Sequence, residues 1–144
     1  MPNIHPALVH FPIALLTLSF LCEAASLFWK REDLSAAGWW TQLAGSIGLA
    51  AAAVSGILAG DSVNIPAGAK QYLETHQEIA FAAAAAFAAL LFWRIASGTR
   101  RPPGREGLFL LLFAAGVVAL WAGAWFGGEM VFRFGAGVQV RPVP

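Results

Sequence analysis

Histidine combines a metal-binding nitrogen with a proton that can be gained or lost near neutral pH, so its position in an apolar sequence is informative. This chain has three. His5 and His10 lie in the stretch Asn3–Leu15, N-I-H-P-A-L-V-H-F-P-I-A-L, at the mouth of a long apolar segment, and His76 opens another. An imidazole at such a boundary serves as an interfacial anchor, a proton relay, or a ligand to a metal or haem iron. In the haem reading, each of two helices offers one imidazole across a bundle core. His10 and His76 fit it as axial ligands, with His5 as the reserve candidate. In the second reading, His5, His10 and His76, with Asp61, surround a copper or zinc ion and leave a position open. In the third, the imidazoles cap helix starts and bond loop carbonyls. Lys70, Arg133 and Arg141 lie on the same side, where they would meet haem propionates.

The elements that position these residues follow from composition. Of 144 residues, 58% are hydrophobic and only 12% charged, and the mean hydropathy is +0.66. A soluble domain carries about 25% charged residues, so this is an integral membrane protein. At about 20 apolar residues per bilayer crossing, the length bounds the chain at four or five spans in a single membrane domain, 1–144. A net charge of +1 without a basic run argues against nucleic acid as a partner. The single cysteine, Cys22, excludes an internal disulfide and a cysteine-based zinc cage, and reads as a packing residue.

The first apolar run covers residues 7–29 and ends at Lys30, Arg31, Glu32 and Asp33. No Lys or Arg precedes it and no small-residue cleavage site follows, so it reads as a permanent span rather than a signal peptide. Pro6 suits a first helical turn; Pro12 kinks a helix already under way or starts a new one. The remaining spans are expected at 39–58, 76–96 and 107–126, with a short amphipathic tail over 127–144 along the outer face. Ala44, Gly48, Ala52, Gly56 and Gly60 form a small-residue ridge on the second span, and Ala115, Ala119, Gly123 and Gly127 form another on the fourth. Such ridges allow close approach of a helix or a flat cofactor. Tyr72 and the six tryptophans read as interfacial belt and core. Glu23 is either a proton or quinone contact or a carboxylate snorkelling toward Lys30.

The linkers after spans one and three hold Lys30, Arg31, Arg94, Arg100, Arg101 and Arg105, against Lys70, Arg133 and Arg141 on the other side. The positive-inside rule then puts both termini outside, which in a bacterial inner membrane is the periplasm. His5, His10, Asp61, His76 and Glu129 all fall at that face.

The opening H-P-A-L-V-H-F-P-I-A-L, the turn with Gly60, Asp61, Ile65 and Pro66, His76, and the closing G-G-E-M-V-F-R-F-G-A-G-V together resemble a family of predicted bacterial four-helix integral membrane proteins of unknown function. The resemblance covers nearly the whole chain and implies an all-α, four-span bundle. The family's layout is similar to that of small membrane b-type cytochromes. The resemblance therefore implies haem b, with a periplasmic c-type cytochrome, quinone or a partner membrane subunit as the contact beyond the lipid bilayer. The expected role is an electron-transfer or accessory subunit rather than a stand-alone enzyme, with a non-catalytic scaffold subunit of a larger complex as the alternative.

Overall fold

The computed structural model describes residues 4–60 and 63–138. Their regular elements are all helical: α1 His5–Leu8, α2 His10–Trp29, α3 Glu32–Gly60, a 3₁₀ turn Ala67–Ala69, α4 Lys70–Ala96 and α5 Glu106–Phe134. Four stretches are long and apolar enough to cross a membrane: His5–Trp29, Glu32–Gly60, Ala67–Ala96 and Glu106–Phe134. The break between α1 and α2 falls at Val9, where Pro12 has no N–H to offer the preceding turn.

Three helices outrun their apolar segments. α3 starts at Glu32, because Glu32 and Asp33 favour the positive end of a helix dipole and a tight turn through Lys30 (φ 51°) suffices after α2. α4 starts at Lys70, where the Tyr72 ring packs on Phe126 and Phe134. α5 runs through Gly127 and Gly128 to Phe134, so residues 127–134 of the expected tail are helical. Tertiary contact outweighs the cost of glycine in a helix, about 1 kcal/mol each: Met130 is buried with Ala69 and Ala136. Gly135, at φ 66°, then ends the helix, with Ala136 N–H donating to the Met130 carbonyl.

Helices α2 and α3 form one antiparallel hairpin and α4 and α5 a second, with α2 also against α5 and α3 against α4. Helices α2 and α4 therefore stand on one diagonal, α3 and α5 on the other. The core between them holds Leu16, Leu49, Phe87, Leu90, Phe109, Phe113 and Leu120.

The hairpins bury the same register. Adding 71 to the buried α2 positions Pro12, Leu16, Ser19 and Glu23 gives the buried α4 positions Ala83, Phe87, Leu90 and Arg94. The same shift carries Gly38, Gln42, Gly45, Leu49 and Ala52 of α3 onto Phe109, Phe113, Gly116, Leu120 and Gly123 of α5. Close contacts repeat too: a Cβ on Gly45 would meet Leu16 at 2.8 Å, and one on Gly116 would meet Phe87 at 3.0 Å. The two hairpins thus bury equivalent positions, the pattern of a pseudo-twofold axis along the bundle.

Candidate functional site: an imidazole pair on the bundle axis

His5 belongs to α1, above α2, and His76 to α4, so the two approach from opposite corners. The shift of 71 carries one onto the other. Their ring centroids are 6.4 Å apart with planes at 82°. Each ring is tied to the second helix of its own hairpin at a residue 47 positions further on: His5 Nδ1 to the Ala52 carbonyl at 3.1 Å, His76 Nδ1 to the Gly123 carbonyl at 2.8 Å. Each also lies against a glycine one turn later. A Cβ on Gly56 would come within 3.0 Å of His5 Cε1, and one on Gly127 within 3.3 Å of His76 Cε1. The two small-residue ridges are therefore the seats of the two imidazoles.

These partners assign the tautomers. A carbonyl only accepts, so His76 donates from Nδ1. Ser55 Oγ is 2.9 Å from His5 Nδ1 but commits its own proton to the Ala52 carbonyl at 2.8 Å, so His5 donates from Nδ1 as well. In the neutral imidazole the lone pair is then on Nε2 in both rings. An Nδ1–H held by a backbone carbonyl with Nε2 as donor atom is the usual arrangement of a metal-ligating histidine. The Nδ1 atoms are anchored on diagonal helices, α3 and α5, and His5 lays its Cε1 edge against Gly56, where an added Cβ would lie 3.4 Å from Nδ1 and 3.5 Å from Nε2.

The structure pairs His76 with His5 rather than with His10. His10 is exposed and follows the helical spacing of Leu18 and Leu21 on the outward face. His5 shares the inward register of Pro12, Leu16, Ser19 and Glu23. Lys70 is exposed at the start of α4. Arg133 donates to the Tyr72 hydroxyl at 3.1 Å and lies 3.8 Å from Glu129. Asp61 and Arg141 lie outside the described residues. Among the described residues, no cluster of three or more His, Cys, Asp or Glu side chains is arranged to hold a metal ion.

At the other end of the bundle, Glu23 and Arg94, a second pair related by the same shift, face each other with both side chains fully buried. Arg101, from the α4–α5 turn, reaches the other Glu23 oxygen at 2.7 Å and also bonds Ser26. Arg94 further donates to Gln42 Oε1 at 2.9 Å, to the Ser35 carbonyl at 3.2 Å and to the Thr99 carbonyl at 3.1 Å, and stacks over Trp39 at 5.5 Å. Thr99 takes a left-handed φ of 65°, within the turn that aims its carbonyl back at Arg94. Glu23 thus pairs with Arg94 and Arg101, not with Lys30. Arg94, read from the sequence as part of a basic linker, is a core residue. A carboxylate within a span signals the need for a cationic partner, but Lys30, Arg31, Arg94, Arg100, Arg101 and Arg105 all lie at that end, and only the fold selects Arg94 and Arg101.

No curated protein and no solved structure matches the chain. The family described as Predicted membrane protein (DUF2231) matches residues 1–140. With four membrane-length helices and a match over nearly all its length, this chain belongs to the DUF2231 family of membrane proteins.

Proposed function

We propose that the protein is a haem-carrying electron-transfer subunit of a bacterial inner membrane, with His5 and His76 as the axial ligands of one b-type haem. The observation that carries this reading is the equivalence of the two imidazoles: same tautomer, same carbonyl anchor, same glycine seat, on opposite sides of the axis. The ring centres lie 6.4 Å apart, so His5 and His76 would hold a single iron from the two hairpins. The donor set fits the axial positions of haem iron, whose other four ligands belong to the porphyrin. The iron supplies one-electron chemistry when bound. The chain holds both rings in the coordinating tautomer, and the carbonyls of Ala52 and Gly123 raise the basicity of the ligands.

The basic-residue count supports a periplasmic position for this end, so the exchange partner is a periplasmic c-type cytochrome or quinone in the outer leaflet. A crevice of about 340 Å³ lined by Gln71, Tyr72, Thr75, Trp125 and Phe126, between the starting turns of α4 and the later turns of α5, offers aromatic walls with an amide and a hydroxyl to a quinone ring. The deciding experiment is the reduced-minus-oxidised spectrum and haem content of the protein purified into nanodiscs. A sharp reduced α-band and a single haem are expected, lost in His5→Ala and His76→Ala and kept in His10→Ala. A folded wild-type protein without porphyrin, after haem is supplied during expression, would end the proposal.

A second reading, a scaffold subunit of a larger membrane complex, is favoured by a different observation. A groove of about 380 Å³ between α4 and α5, lined largely by alanines such as Ala82, Ala86, Ala115 and Ala119, would seat a partner helix. It predicts a featureless visible spectrum and co-purification with a second membrane protein.

A further inference from the structure

The pseudo-twofold axis carries identical residues at one end and opposite charges at the other, and the second fact has a consequence for partner choice. Hairpins with the same buried register can face copies of themselves as well as each other. We infer that the face through which the two hairpins meet is self-excluding: the Glu23–Arg94 pair admits the other hairpin and rejects a second copy of the same one.

If the first hairpin met its own copy about this axis, Glu23 would face Glu23; if the second did, Arg94 would face Arg94. Either leaves two like charges in a site where both side chains are now fully buried. Uncompensated buried charge is strongly disfavoured. The outer parts of the interface give no such discrimination. His5 and His76 are the same residue, Leu16 and Phe87 are both apolar, and Gly45 and Gly116 are the same residue. Discrimination is therefore concentrated at the inner end, where Glu23 and Arg94 are the one charged difference and the neighbouring equivalents Ser19/Leu90, Gly38/Phe109 and Gln42/Phe113 differ in size or polarity. The groups around it reinforce the existing order: Arg101 adds a second cation beside Glu23, and Gln42 turns its oxygen, not its amide nitrogen, to Arg94. Breaking the symmetry of an otherwise symmetric interface with one polar layer is how packed helices fix register and partner at some expense in stability.

The test uses the full chain and needs no haem, so it is independent of the proposed function. In a Cys22→Ala background, His5→Cys places one thiol on the axis, and His76→Cys does the same for the second hairpin. Two copies paired through the same hairpin bring their thiols face to face, and a short bifunctional maleimide then links them into a dimer. This is measured with the native charges and with Glu23→Leu/Arg94→Leu, which replaces the pair by apolar groups. The expected result is at least a fivefold rise in linked dimer for the leucine pair, in both cysteine backgrounds, with helical content unchanged. Equal dimer yields with and without the charges would overturn the inference. So would loss of fold in both the leucine pair and a Glu23→Gln/Arg94→Gln pair, which would make the charges a stability element and not a selector. Arg94→Gln with Glu23→Gln, a polar neutral pair, provides the same comparison where leucine packs poorly, under the same criteria.

Discussion

The two ends of the bundle axis are built on the same repeat yet solve opposite problems. At the histidine end, equivalent positions carry the same residue, partly buried, each side chain anchored within its own hairpin. At the arginine end, equivalent positions carry Glu23 and Arg94, fully buried, bonded across the axis to each other and to neighbours from α3 and the α4–α5 turn. A repeated residue on a twofold axis presents two equal ligands to something between them. A complementary pair on the same axis satisfies itself and ties the halves together. On the proposed function, the difference separates binding from assembly.

The largest expected effect tests that division. Arg94→Met leaves Glu23 buried beside Arg101 alone and should lower stability by about 3–5 kcal/mol, read from denaturing-detergent titration followed by circular dichroism. His5→Ala should cost only about 1 kcal/mol, since the Ala52 carbonyl keeps its bond from Ser55, while removing haem. Comparable losses of stability at both ends would erase the distinction.

Gly38→Ala comes next. Its Cβ would sit 2.3 Å from Glu23 Oε1, and the carboxylate, held by two guanidiniums, has little room to yield. A loss of about 2–3 kcal/mol is expected in the same titration. A neutral result would mean that the pair is far looser than its contacts imply.

The repeat itself predicts a matched pair of smaller effects. Gly45→Ala and Gly116→Ala press on the equivalent residues Leu16 and Phe87 at 2.8 and 3.0 Å, and each should cost about 1–2 kcal/mol. If one were destabilising and the other stabilising, the hairpins would not be mechanically equivalent. The smallest expected change is at the histidine seats. Gly56→Ala, at 3.0 Å from His5, should lower haem occupancy more than Gly127→Ala, at 3.3 Å from His76, with stability altered by less than about 1 kcal/mol in either. The reverse order would show that the His76 side governs the fit.

Much of this was legible in the residues alone. Composition sets the class, because so few charges over this length are compatible with lipid and not with a soluble domain. Apolar run lengths set the number of helices, and their antiparallel order sets which helices stand on a diagonal. Both small-residue ridges can be read directly, and they are the positions that seat His5 and His76. Three things were decided only by the tertiary structure: that His5, not His10, faces His76; that Arg94 is a core residue paired with Glu23; and that the two ridges belong to one repeat. The physical reason is common to all three. In water, the apolar face of a helix marks the direction of the core, but in a membrane the outward face is equally apolar, so hydrophobic periodicity does not distinguish inside from outside. Phe11, Leu18 and Leu21 are as apolar as Leu16, yet they point to lipid. The inward register is set by which small and polar side chains find partners on another helix, and those partners lie 19 to 78 residues away along the chain.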